Sequence, residues 1–270
     1  MNFSVLISVY GEKPEYLALA LKSIWDDQTL KPTEIVIVKD GPLSSELDKI
    51  ISFFSESAPV KIHALEKNQG LGIALAEGVK KCQYNYIARM DSDDIAFPER
   101  FEKQFSFLKE HPEIDICGSA IAEFSFSLHE ITGYRKPPEK EQDIMRFLKI
   151  RNPINHMTVV FKKQTIVEAG NYQPLLGYED YWLWARCMAN GAKCYNLQEP
   201  LVYARIGNGM LERRRGLKLV SSEILLEKKL YRIGLLSFFE MIMIISIKCT
   251  LRLLPVKLLK MIYKNILRRH

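Results

Sequence analysis

Cysteine is scarce in this sequence: five thiols in 270 residues, Cys82, Cys117, Cys187, Cys194 and Cys249, with no C-x-x-C pair among them. An odd and scattered set speaks against a disulfide framework or a cysteine zinc site, and fits reduced, mostly buried thiols. The start of the chain lacks a basic region, an apolar run and a small-residue cleavage site before the strand-like stretch Phe3–Val9, so no secretory signal is read and a cytosolic location is expected. Nor is there an apolar run of the roughly 20 residues that a membrane-spanning helix needs. The run Leu235–Ile247 covers only 13 residues and contains Glu240. Internal repeats and low-complexity tracts are also missing. With 47% apolar residues, the chain can bury the core of one large α/β domain, or of a domain with a helical appendage.

Charge is present in an uneven pattern. Residues 201–270 hold fifteen Lys or Arg against four Glu, a balance of +11, which leaves −5 for residues 1–200 out of +6 overall. An acidic body joined to a basic tail predicts an anionic partner for the tail, either phosphate groups or a membrane surface. Nucleic acid fits less well, because the basic residues alternate with aliphatic runs and no reading motif accompanies them. In the tail, Lys257, Lys260, Lys264 and Arg268 recur at helical spacing, with Leu258, Leu259, Met261, Ile262 and Ile266 on the apolar side. This pattern predicts a helix lying in the interface of an anionic membrane; an amphipathic helix packed on the body with a solvated basic face would read the same way.

β-rich runs alternate with helical patterns through the first third, which predicts βαβ units and a mainly parallel sheet flanked by helices. Phe3–Val9, Glu34–Val38, Val60–Leu65 and Tyr84–Met90 read as strands. The intervening stretches from Pro14 to about Asp26, from Leu43 to Phe54 and from Gly70 to Cys82 read as helices. Beyond Pro98 a helix to Lys109 is expected, another over 139–150, and one from Glu179 to Asn190 ended by Gly191. Two short β-like pieces, 193–196 and 201–206, precede a helical remainder. The expected division is a catalytic domain over 1–215 and a helical, basic, membrane-associating extension over 216–270. In open α/β sheets ligands gather at the carboxyl ends of the strands, so Tyr10, Asp40 and Asp91 should share one rim.

The fourth strand runs directly into Asp91-Ser92-Asp93. Two carboxylates at a sheet edge repel each other unless something neutralises them, and a divalent cation does so. Hard oxygen ligands suit Mg²⁺ or Mn²⁺, whose shell is then completed by substrate phosphate oxygens. Such an ion would stabilise a departing nucleoside diphosphate as a Lewis acid. Alone, the D-x-D spacing is weak, since Asp-rich turns are common.

Its context is more specific. Ser8-Val9-Tyr10 ends the first strand, Asp40-Gly41 the second, Asn68-Gln-Gly-Leu-Gly72 opens the third helix, and Arg89-Met-Asp-Ser-Asp-Asp94 closes the fourth strand. Asn152-Pro-Ile-Asn-His156, Glu179-Asp-Tyr-Trp-Leu-Trp184 and Gly207-Asn-Gly-Met210 with Arg213-Arg-Arg215 follow in order. Together these resemble the family 2 glycosyltransferases of the GT-A fold, a Rossmann-like fold for nucleotide-diphospho-sugar transferases. The combination is most similar to the bacterial enzymes that build O-antigen, capsule or exopolysaccharide units, including the amylovoran type. The resemblance implies that Ser8, Tyr10 and Asp40 contact the nucleoside and that Asn68 helps close the donor pocket. It implies Asp91 and Asp93 as metal ligands, Asp91 also as a donor contact, Asp180 as the general base and Glu179 as a hydrogen-bond partner of the acceptor. His156 is placed near the acceptor, and Arg213, Arg214 and Arg215 against the diphosphate, the acceptor's phosphate or lipid phosphates.

Plainer readings stand beside these. Ser8 and Tyr10 also suit ordinary strand ends, Asp40 before Gly41 suits a turn, and Asn68 suits a helix cap. Acidic residues such as Glu179 and Asp180 favour helix amino termini through the macrodipole. The sequence departs from the commonest family pattern at Lys39, where many members carry a second Asp, and at Gly41-Pro42. The Gln-x-x-Arg-Trp element of processive synthases is absent, which favours addition of a single sugar. The expected activity is transfer of one hexose, of the galactose or glucose type, from a UDP-sugar to a polyprenyl-diphosphate-linked saccharide, with inversion, at the cytoplasmic face of the membrane. The rivals are a nucleotidyltransferase, whose Gly-rich Arg-Lys loop after strand one is lacking, and a catalytically inactive nucleotide-sugar binding module at the membrane.

Overall fold

The computed structural model describes residues 1–125, 127, 128, 130–206 and 216–253. Arg213, Arg214 and Arg215 and the basic run from Lys257 to Arg268 lie outside the described residues. Two compact units are distinguished: Met1–Pro174 with Glu179–Arg205, and Leu175–Tyr178 with the described part of Ile206–His270.

The first unit is built on a sheet that contains, among the described residues, nine strands: β1 (Phe3–Val9), β2 (Glu34–Lys39), β3 (Val60–Ala64), β4 (Tyr86–Met90), β5 (Ile95–Ala96), β6 (Ile116–Phe124), β7 (Ile131–Arg135), β8 (Val160–Lys162) and β9 (Cys194–Arg205). Their order is β3-β2-β1-β4-β8-β6-β9-β5, with β7 paired to β6. The stretch β3-β2-β1-β4 is parallel throughout. Beyond β4 the sheet is mixed: β8 runs antiparallel to β4 and β6, whereas β6 and β9 pair in parallel. Burial explains the change in sequence texture. β1 and β2 are covered on both faces and read as continuous apolar runs, as parallel strands do.

Helices α1 (Pro14–Ile24), α2 (Ser45–Ser55), α3 (Leu71–Lys81) and α4 (Arg100–Glu110) alternate with the first strands. α1 opens on Pro14, whose missing N–H is an orphan there anyway. At α2, Ser44 Oγ accepts from Leu47 N at 3.3 Å, a side-chain cap. The rings of Phe101 and Phe105 from α4 pack on Phe3 of β1, with centroids 5.1 and 4.2 Å away. Further on come α5 (Glu141–Leu148), α6 (Lys163–Glu168) and α7 (Glu179–Ala189). In the second unit, α8 (Leu217–Arg232) and α9 (Phe238–Leu253) pack together through Leu226, Leu230, Met241 and Ile244. No helix among the described residues is long and apolar enough to cross a membrane.

The strand order fixes where a ligand can sit. β2 and β4 lie on opposite sides of β1, so the chain reverses its direction of travel across the sheet at β1, and in open α/β sheets ligands bind at the carboxyl ends of the strands at such a reversal. Tyr10, Asp40 and Asp91 each follow one of them directly.

Close packing of α3 on the sheet gives a stability prediction. A Cβ at Gly78 would collide with Leu6 Cδ1 and stand 2.9 Å from Val38 Cγ2, both on buried residues. Gly78→Val should therefore destabilise the protein by about 1–3 kcal/mol despite its better helix propensity, read as a lower urea midpoint at unchanged slope. An unchanged midpoint would contradict this packing.

Candidate active site at the strand ends

Alternation along β4 puts Arg89 and Asp91 on the same side of the strand, two residues apart. Arg89 Nη2 donates to Asp91 Oδ1 in a short charge-assisted bond. Arg89 is 1% exposed, and its Nε and Nη1 have no hydrogen-bond partner. Behind it, Arg100 of α4 is also fully buried and donates from Nη2 to the Arg89 carbonyl at 2.7 Å. Gln104, one turn on, accepts from Arg100 Nε and donates to the carbonyls of Cys117 and Thr158. The acidic turn thus rests on a buried polar frame that joins α4, β4 and β6.

In the turn itself the carboxylates have different duties. Asp94 is buried, and its Oδ1 accepts from Arg205 N at 2.7 Å, tying the turn to the end of β9. The Arg205 guanidinium donates to the Asp93 carbonyl and lies against the rings of Tyr16 and Phe124. Glu12, after β1, accepts from Ser92 Oγ and from Tyr10 N. Asp91, paired with Arg89, and Asp93 are the candidates for holding a ligand. Burial, then the charges of Asp91 and Glu12, push the Asp93 carboxyl up from its ordinary value. Asp94 is raised by the same burial and by Asp91 and Asp93. This repulsion is what a cation would relieve. No three or more His, Cys, Asp or Glu side chains converge as a ready-made cage among the described residues. Two carboxylates suit Mg²⁺ or Mn²⁺, which take one or two protein oxygens and fill the rest of their shell with phosphate and water.

At the ends of β1 and β2, Ser8 is half-buried and Tyr10 is 53% exposed. Asp40 is buried, and it meets Asn68: its Oδ2 accepts from Asn68 Nδ2 at 2.9 Å and from Gly70 N at 3.0 Å, and its Oδ1 from Gln69 N at 2.8 Å. Its carboxylate therefore clamps the loop that opens α3. Gly41, with φ +97°, lets the chain pass so close to Asn68 that a Cβ would strike that residue's backbone.

The acceptor-side candidates sit at the start of α7. Tyr181 to Met188 are all buried, so this helix is enclosed on every side. It is fixed by Tyr181 Oη to the Leu148 carbonyl, Trp182 Nε1 to Gln173 Oε1, and Arg186 to the carbonyls of Ala169 and Asn171. Asp180 Oδ1 accepts from Tyr181 N at 2.7 Å and Oδ2 from Asn152 Nδ2 at 2.6 Å. His156 Nδ1 lies 4.0 Å from Asp180 Oδ2, and its Nε2 is 2.9 Å from Tyr172 Oη. Burial, assisted by Arg89, holds the imidazole well below its ordinary value, so the ring is neutral and the contact with Asp180 is polar, not ionic. Burial raises the Asp180 carboxyl, against the Tyr181 N–H, the Arg89 charge and Asn152, which pull it down. Glu179 sits beside the opening of α3, since a Cβ at Gly72 would stand 2.9 Å from Glu179 Cγ. The first turn of α3 and the start of α7 therefore lie against each other.

Set beside known proteins, this arrangement has clear relatives. A model of the family described as "Glycosyl transferase family 2" matches residues 4–165. The chain belongs to glycosyl transferase family 2. Among relatives of this transferase, the amylovoran biosynthesis glycosyltransferase AmsE of Erwinia amylovora is 41% identical over 97% of this chain and 98% of its own. An Escherichia coli UDP-Gal:alpha-D-GlcNAc-diphosphoundecaprenol beta-1,3-galactosyltransferase is 37% identical over 99% of this chain and 97% of its own. In fold it resembles S. aureus TarS 1–349 in complex with UDP-GlcNAc, with a TM-score of 0.70 at 19% identity, over 92% of this chain and 71% of that one. It also resembles a Pyrobaculum calidifontis mannosyltransferase in complex with GDP-Man and Mn2+, with a TM-score of 0.66 at 13% identity, over 96% and 72%. The protein is a glycosyltransferase with an α/β fold of the GT-A type.

Some residues of this site had no role in the sequence reading. Arg89 and Asn152 lie within quoted motifs, and Glu12, Tyr172 and Arg205 lie outside them. A charged residue inside the buried strand Tyr86–Met90 was the available signal for Arg89.

Asn152 supplies a test of Asp180 as a candidate base. Removing its N–H would leave the Asp180 carboxylate less stabilised and raise that group further, and a base must be deprotonated to act. Asn152→Ala should shift the acidic limb of the kcat/KM profile to higher pH. A limb that stays in place would separate Asp180 from the proton transfer.

Proposed function

We propose that this glycosyltransferase moves a single hexose from a UDP-sugar to a saccharide carried on a polyprenyl diphosphate, with inversion at the anomeric carbon and dependence on a divalent metal. The observation that carries the reading is the pairing of two rigidly held carboxylate centres. Asp91 and Asp93 end a strand at the sheet reversal, and Asp180 opens a fully enclosed helix, with Arg89 close enough to influence both. The name of the E. coli relative supports a UDP-sugar donor and a diphosphoundecaprenol-linked acceptor, and that of the Erwinia relative supports a place in the biosynthesis of a polymer such as amylovoran.

In this reading Asp180 accepts the proton of the acceptor hydroxyl as its oxygen attacks the anomeric carbon. The bond from that carbon to the donor phosphate oxygen breaks in line, and its electron pair leaves with the nucleoside diphosphate. Asn152 and the Tyr181 N–H hold the carboxylate in orientation, and Glu179 hydrogen-bonds the acceptor. Asp91 and Asp93 would hold Mn²⁺ or Mg²⁺, which supplies Lewis-acid stabilisation to the diphosphate when bound. Asp40 acts by fixing the Asn68–Gly70 loop as one wall of the donor pocket, and Ser8 and Tyr10 contact the nucleoside. The acceptor's lipid and the basic extension together support work at the anionic inner face of the plasma membrane.

The test is nucleoside diphosphate release from a panel of UDP-, GDP- and dTDP-sugars with a short lipid-diphosphate saccharide, in Mn²⁺ or in EDTA. Turnover with a UDP-sugar that EDTA abolishes, lowered by a factor on the order of 10² or more in Asp180→Ala, is expected. Donor binding without turnover across varied acceptors would favour the inactive binding module.

A further inference from the structure

Helix α8 turns its acidic side chains inward. Glu223 and Glu227 of α8 are fully buried: Tyr178 Oη donates to Glu223 Oε2, and Lys248 Nζ of α9 lies 3.0 Å from Glu223 Oε1 and 2.7 Å from Glu227 Oε1. Glu240 closes the first turn of α9, accepting from Ser237 N at 2.7 Å while Ser237 Oγ accepts from Glu240 N, a capping box. Among the described residues of this unit no carboxylate is exposed, whereas Lys218, Lys228 and Arg232 are. The exposed charge of these helices is therefore positive.

Apolar side chains are turned outward beside it. Along α9, Phe238, Phe239, Ile242, Met243 and Ile247 are 53, 83, 47, 56 and 55% exposed, and their spacing places them on the side opposite Met241, Ile244 and Lys248. Tyr231 of α8, itself exposed, meets this stripe, with its ring centroid 6.3 Å from that of Phe238, which is 5.8 Å from Phe239. Arg232 follows Tyr231 directly, and Lys228 lies one turn back. An exposed aromatic and aliphatic stripe edged by cations, on a helix whose described residues are too few to span a bilayer, has the chemistry of an interfacial helix.

We propose that the Phe238–Ile247 face of α9, with Tyr231, seats in the headgroup and acyl boundary of an anionic bilayer, with Lys228 and Arg232 against the lipid phosphates. This deepens the proposed use of a lipid-linked acceptor and rests on it for its biological purpose, but its physical basis lies wholly within these two helices. The occupant is fixed by charge. A face edged by exposed cations, with Glu223 and Glu227 fully buried and Glu240 engaged in its own helix cap, suits an anionic lipid surface better than a second copy of itself, whose cations would repel.

Sedimentation with vesicles of phosphatidylcholine, with and without phosphatidylglycerol, tests the assignment on the full chain. The wild type should pellet with the anionic vesicles. Phe239→Ser/Ile242→Ser/Met243→Ser should lower that partition by at least about tenfold with an unchanged melting curve, since every replaced side chain is exposed. Lys228→Glu/Arg232→Glu should remove the preference for anionic vesicles. Both variants should keep wild-type turnover on a water-soluble acceptor analogue. The triple-serine variant pelleting like wild type would overturn the proposal. So would light scattering that finds a wild-type dimer which the variant dissociates with no change in vesicle binding, because the face would then be a self-interface. Vesicle binding by a wild type inactive on every acceptor would overturn the transferase reading and leave this one standing.

Discussion

The structure depends on how negative charge is held at the carboxyl end of β4. Asp91, Asp93 and Asp94 follow one another within four residues, with Glu12 beside them, in a turn where Asp94 and Ser92 are buried. Carboxylates at such depth are unfavourable unless opposed by charge or hydrogen bonds. Two fully buried arginines provide the frame. Arg89 pairs with Asp91, and Arg100 holds the Arg89 carbonyl from α4, so that the acidic turn is fixed to the helix and to the neighbouring strands through Gln104. Arg205 completes it from β9. The repulsion between Asp91, Asp93 and Glu12 that raises the Asp93 carboxyl is what the proposed divalent cation would relieve.

Arg89 also acts on the start of α7. Burial raises Asp180 and lowers His156, and the Arg89 charge pulls both downwards, so one buried positive charge is in electrical contact with the carboxylates of both the β4 turn and α7. Around Asp180 the geometry is set by packing. An enclosed helix, pinned by Tyr181, Trp182 and Arg186, leaves its first carboxylates little freedom, the preorganisation that the proposed proton transfer would need. The near-contact of Gly72 with Glu179 joins the loop clamped by Asp40 to this helix.

Much of this was legible because it is local. The strands β1 to β4 and the helices between them follow from apolar runs and turn residues, and Asp40, Asp91 and Asp180 stand at element ends that those runs define. What was not legible is long-range. The three residues of β8 are too few for any periodicity, yet β8 joins β4 to β6 in antiparallel sense. β9 reads as two pieces because Glu199 and Pro200 interrupt it, whereas the chain continues as one strand from Cys194 to Arg205, with the register against β6 shifting beside Pro200. A proline lacks the N–H that a regular ladder needs, and a bulge accommodates it. Asp40 is a similar case. A strand-end Asp before Gly suits either a turn or a nucleoside, and only the fold shows its carboxylate taking three donors from a loop almost thirty residues away.

The central claim is a division of labour between two carboxylate centres on one rigid frame: the β4 turn for the metal and donor, and the α7 start for the proton. Calorimetric titration of UDP-sugar in Mn²⁺ into the wild type, Asp93→Asn and Asp180→Asn tests it most directly. The account predicts that Asp93→Asn loses metal-dependent donor binding, while Asp180→Asn binds donor as the wild type does and fails only in turnover. Equal loss of donor binding in both variants would contradict it.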